Sequence, residues 1–101
     1  MNTAAPESLV QGGRQQKARE VFARVVTMGQ TDTSCWLGLA FACAQLSDNA
    51  ATLAAVDKSR GLEPRNIGAI IFKADHLAQQ GESRQVPELY ERVLRLAARA
   101  Q

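Results

Sequence analysis

The chain has 101 residues, enough for one modest core and hardly for two, so a single domain is expected. Hydrophobic residues make up 46% and charged residues 22%, values that exclude the disordered and fibrous classes. Its 12 Lys+Arg against 10 Asp+Glu leave a net charge of +2, without the clustered basic excess that nucleic acid or a membrane surface demands.

β-Branched residues never alternate with polar ones over a useful stretch, while Ala, Leu, Gln, Glu and Arg dominate, so the fold class is all-α. Residues 6–11 can open with a short helix that has Pro6 at its first position. Gly12-Gly13 then reads as a helix stop, with neither the preceding strand nor the GK[ST] of a phosphate loop. Over 14–28, Ala18, Val21, Phe22, Val25, Val26 and Met28 fall on one stripe, with Arg14, Lys17, Glu20 and Arg24 facing away. Gly29 stops that helix, and Asp32 or Thr33 offers an oxygen to cap the next, from about Ser34 to Leu46. Ser47-Asp48-Asn49 is a break with its own cap, followed by a helix from about Ala50 to Gly61. Pro64 closes that helix because the residue before a proline is pushed out of helical geometry. Asn66 caps a segment over 67–80, Gly81-Glu82-Ser83 turns, and a last helix runs from about Arg84 to Ala98 with Pro87 in its first turn.

Breaks and large apolar residues recur at a period of 34. Leu9, Cys43 and Leu77 keep that spacing, as do Phe22, Val56 and Tyr90; Met28, Leu62 and Leu96; Val25, Ser59 and Val93; and the turn residues Gly13, Ser47 and Gly81. Size classes match better than identities. Within the unit 33–66, Trp36, Leu39 and Ala40 open the first helix and Pro64 closes the second, and this unit resembles a tetratricopeptide repeat. The unit 67–100 carries the likeness through Ile70, Ala74, Leu77, Gly81, Tyr90, Val93 and Leu96, and a partial unit over 1–32 through Gly13, Ala18, Phe22 and Val25. Cys43 and Val56 stand in place of the usual aromatics, Thr52 and Ser59 in place of alanines, Ser47 of a glycine and Lys73 of a leucine.

The resemblance implies a short α-solenoid of about two and a half antiparallel helix-pair repeats, in which Leu39, Ala40 and Cys43 pack on Val56 and Ser59. Trp36 is expected to be largely buried near Phe22. The segment SCWLGLAFACAQL, residues 34–46, is apolar nearly all round, so two faces need cover. In this family the first helices of successive repeats line a concave face that takes a peptide or helix. By that likeness the groove here comprises Leu37, Phe41 and Gln45, with Ile71, Phe72, Asp75 and Gln79 from the next unit. Such a face lacks the Lys, Arg and Asn of a carboxylate clamp and suits an apolar or helical protein segment. The N-terminal segment or a second copy of the chain could equally cover it.

Catalytic and metal signatures are missing from the sequence. His76 is the only histidine and reads as an exposed helix residue. Cys35 and Cys43, eight apart, form neither a CxxC nor a disulfide framework and read as small core residues. No cofactor or metal is implied, and the chain reads as a non-catalytic protein-binding module. In a second resemblance, the run from Lys73 to Ala97 is similar to the segment preceding the catalytic domain of bacterial aspartyl/asparaginyl β-hydroxylase-like proteins. That implies an accessory domain whose chemistry lies beyond Gln101. Arg84, Arg92, Arg95 and Arg99 gather on the last helix, where Glu88–Arg92 and Glu91–Arg95 are i, i+4 pairs of a solvated face. The start lacks the basic and apolar regions of a secretory signal, and no apolar run approaches the roughly 20 residues of a membrane span, so the cytoplasm is expected.

Overall fold

A computed structural model of the chain describes the backbone of residues 4–29 and 32–100 and the side chains of 13–29 and 32–99. Its described residues form five α-helices: α1 (Ala4–Thr27), α2 (Thr33–Gln45), α3 (Asn49–Leu62), α4 (Ile67–Gln79) and α5 (Val86–Ala100). Each helix packs on its neighbours in sequence: α1 on α2, α2 on α3, α3 on α4 and α4 on α5. The array is elongated, 53 × 33 × 25 Å. Its radius of gyration of 15.4 Å exceeds the roughly 13 Å of a compact domain of this length.

The helix starts follow from side-chain caps. Asp32 accepts from the Cys35 N–H at 3.0 Å, Asp48 from Ala51 at 3.2 Å and Asn66 from Ala69 at 2.9 Å, each supplying an acceptor to a donor the helix leaves unpaired. The ends of α2 and α4 share a second device. A left-handed residue, Ser47 or Gly81, turns the chain so that the following N–H donates five residues back, Asp48 to Cys43 at 2.9 Å and Glu82 to Leu77 at 2.8 Å.

The expected stop at Gly12-Gly13 is not made: α1 continues through both glycines as one helix of 24 residues, with Pro6 its third residue rather than its first. A glycine inside a helix costs only about 1 kcal/mol, and it ends one when it adopts a left-handed turn, which helices commonly but not always use. Gly29, at φ 88°, makes that turn and Gly13 does not. The side chain of Leu9, a proposed packing position, lies outside the described residues.

Two apolar clusters form the core. Ala40, Ala55 and Val56 are buried together, with Trp36, Leu39 and Phe72 packed around them. Ile70, Ala74, Leu77 and Leu89 form the second, flanked by Leu53, Val86, Val93 and Leu96. Thr52 and Ser59 are fully buried within α3. Their hydroxyls donate to helix carbonyls, Thr52 to Asp48 at 2.8 Å and Ser59 to Val56 at 2.7 Å, so these positions carry a hydroxyl without leaving it unpaired.

His76 is buried, not exposed as its sequence context suggests. It lies between Lys73, which pairs with Asp57 of α3 at 2.9 Å, and Gln80, which accepts from Asn49 of α3 at 2.8 Å. Residues 73, 76 and 80 share one side of a helix, so the seam that engages the outer two also covers the histidine. On α5, Glu91 pairs with Arg95 at 3.6 Å, whereas the Glu88–Arg92 pair is not formed and Arg92 instead donates to the Pro64 carbonyl at 3.3 Å. No helix among the described residues is long and apolar enough to cross a membrane.

Candidate functional site

Helix α2 has more apolar surface than its two neighbours, α1 and α3, cover. Ala40, Ala42 and Cys43 are buried, Leu37 and Ala44 are half-buried, and Phe41 is left 52% exposed. On α4, Ile71 is 37% exposed while the adjacent Phe72 packs on the Ala40–Ala55–Val56 cluster. Phe72 thus brings α4 up to the core of the α2–α3 pair, and Phe41 and Ile71 each neighbour in sequence a residue of that contact. A phenyl ring left half in water forgoes part of the about 1.5–3 kcal/mol that full burial would give it.

The polar residues expected in the same groove have separate surroundings. Gln45 and Gln79, near the C-terminal ends of α2 and α4, are exposed. Asp75 accepts a short hydrogen bond, 2.5 Å, from the Tyr90 hydroxyl of α5. That bond to the carboxylate holds the Tyr90 phenol above its ordinary pKa. Asp75 is therefore already occupied in joining α4 to α5.

A second concavity escapes sequence reasoning. Helices α1, α2 and α3 enclose a cleft of about 460 Å³. It is lined by Arg19, Glu20 and Ala23 of α1, Trp36, Leu39 and Cys43 of α2, and Ala51, Ala54, Ala55 and Lys58 of α3. The signal lay in α3, where alanines at 51, 54 and 55 put three small residues on one side opposite an indole. Arg19 also ties α1 to the turn between α2 and α3 by pairing with Asp48 at 3.3 Å. Burial raises the Cys43 thiol above its ordinary pKa, and a hydrogen bond to the Asp32 side chain does the same for Cys35, so both are held as thiols.

A third feature crosses between elements. Arg65, in the turn before α4, joins Arg92, Arg95 and Arg99 of α5 around a small hollow. Among the described residues no group of three or more His, Cys, Asp or Glu is arranged to hold a metal ion. No family model matches the chain, and no curated protein matches it significantly.

Proposed function

We propose that the chain is a non-catalytic protein-interaction module, a short array of helix pairs of the tetratricopeptide kind, that takes an apolar or helical protein segment along α2 and α4. The observation that carries this reading is the pair of exposed apolar side chains, Phe41 and Ile71, beside positions that pack tightly. Large apolar groups in water beside a rigid helix pair are the usual anchors for a partner's apolar side chains. The repeat reading draws support from the agreement of α2 and α4, each of 13 residues, whose first and last residues lie 34 apart. The groove would comprise Leu37, Phe41, Gln45, Ile71, Phe72 and Gln79. Asp75 would serve it through Tyr90, as a fixed polar edge.

The test is association measured for the parent chain and for Phe41→Glu. Sedimentation over a concentration series reports a second copy as the occupant. Fluorescence titration with amphipathic helical peptides carrying Leu at i, i+4 and i+7 reports a foreign helix. Phe41→Glu should weaken whichever association is found by at least about tenfold, because burying an unpaired carboxylate costs more than the 1.4 kcal/mol that a factor of ten represents. Helical circular dichroism should be unchanged, since Phe41 lies outside both core clusters. A parent chain that stays monomeric and binds no peptide, or a variant that associates like the parent, overturns the reading.

A further inference from the structure

Four arginines line one hollow beside the C-terminal half of α5. Arg92, Arg95 and Arg99, three and four residues apart, share one side of the helix, and Arg65 faces them from the turn after α3. The hollow they line, with Leu96 as the one apolar member, measures about 170 Å³. Its geometry is held from within, since Arg92 Nη2 donates to the Pro64 carbonyl at 3.3 Å and so fixes the turn that carries Arg65. The Arg92 Nε is buried and meets no acceptor among the described residues. Of the four cations, only Arg95 has a carboxylate partner among the described residues, the exposed Glu91 at 3.6 Å.

Several like charges around one hollow repel one another, and a buried guanidinium N–H without an acceptor costs free energy. Both costs are relieved by the same thing, an anion with several acceptor oxygens. The negative end of the α5 dipole accounts for Arg99 alone, because that effect fades within the last turn. Guanidinium forks match the oxygens of a tetrahedral oxyanion two at a time, and two charges on the anion suit several forks better than one. The size of the hollow narrows the class further. The hollow has room for a small anion and falls short of the roughly 300 Å³ at which drug-sized ligands begin to fit.

We propose that this hollow is a binding site for a doubly charged phosphate group, held by Arg65, Arg92, Arg95 and Arg99. The group is supplied as inorganic phosphate or as the phosphomonoester of a phosphorylated side chain. The site is formed by other residues than the apolar groove and does not depend on it.

The test is a titration of the full chain with inorganic phosphate at about pH 8, above the second ionisation of both the free anion and a phosphomonoester, at constant ionic strength made up with chloride. Arginine Nε–H resonances and calorimetry follow the binding. One saturable site is expected. Arg65→Gln/Arg99→Gln should lower its affinity by about tenfold or more, while Arg84→Gln, in the turn before α5, should leave it unchanged. The Arg65 and Arg99 side chains are exposed and make no hydrogen bond among the described residues, so helix content should persist; if it falls, Arg95→Gln alone should show the same direction of loss. A phosphoserine peptide and its unphosphorylated form separate the sources. Tighter binding of the phosphopeptide than of inorganic phosphate assigns the site to a modified side chain, and equal binding assigns it to the free anion. A response that never saturates, that chloride reproduces, or that Arg65→Gln/Arg99→Gln and Arg84→Gln alter alike overturns the proposal.

Discussion

Ser47 and Gly81 occupy the same point of two helix ends 34 positions apart, with φ of 61° and 78°. The hydrogen bonds around them correspond one by one: Ser47 to Ala44 at 3.0 Å and Gly81 to Ala78 at 3.1 Å, then Asp48 to Cys43 at 2.9 Å and Glu82 to Leu77 at 2.8 Å. Glycine adopts this conformation without strain, whereas a serine there brings its Cβ against the backbone at a cost of about 1–2 kcal/mol. Ser47→Gly should therefore stabilise the chain by about 0.5–1 kcal/mol, the relief being partly offset by the greater freedom of glycine when unfolded. Urea melts of parent and variant decide it. Gly81→Ser should be destabilising by a similar amount.

The Phe22 ring of α1 lies against Gly38 of α2. A side-chain carbon on Gly38 would stand 2.5 Å from Cε1 and Cζ of the Phe22 ring, so the ring must move to admit it. Alanine favours a helix interior by about 1 kcal/mol over glycine, and overpacking costs about 1–3 kcal/mol. The second effect wins because the ring occupies the space the new methyl would take. Gly38→Ala is expected to lower stability by about 1 kcal/mol. Phe22→Leu in the same chain should recover part of that loss, a coupling that a double-mutant cycle in denaturant measures.

Asp32 carries a pH dependence of known sign. Its hydrogen bond from the Cys35 backbone, helped by that from the Ser34 hydroxyl, holds the carboxyl below its ordinary 3.8. A carboxyl whose folded value is lowered stabilises the fold fully above the ordinary value. That contribution is lost as pH falls through the lowered one. Asp32→Asn keeps an acceptor for the cap and removes the charge. The parent should thus be the more stable chain near neutrality, with the difference in Tm shrinking below about pH 3.8. A difference that stays constant down to the acid limit would show that the charge contributes nothing.

Much of this architecture was legible because capping chemistry is local. Asp32, Asp48 and Asn66 announce three helix starts from their own side chains, and Gly81 announces an end, without reference to the rest of the chain. Gly12-Gly13 misleads because glycine permits a stop and does not impose one. The buried His76 could not be foreseen on α4 alone, since it lies on the side where Lys73 and Gln80 tie the chain to α3. Phe41 was legible as a surplus apolar residue on a helix already apolar on its other side. The hollow of arginines was not, because Arg65 reaches α5 only through a turn whose Pro64 carbonyl meets a side chain 28 positions away.

Packing in which every helix leans on the one before and the one after bears on how the chain folds. Its inter-helix packing joins helices adjacent in sequence, so the loops to be closed are short, little chain entropy must be given up before a contact forms, and proteins of such local topology fold in microseconds to milliseconds. During synthesis, each helix would find its partner as soon as the next helix emerged, and no half-made intermediate would have to wait for a distant segment to arrive.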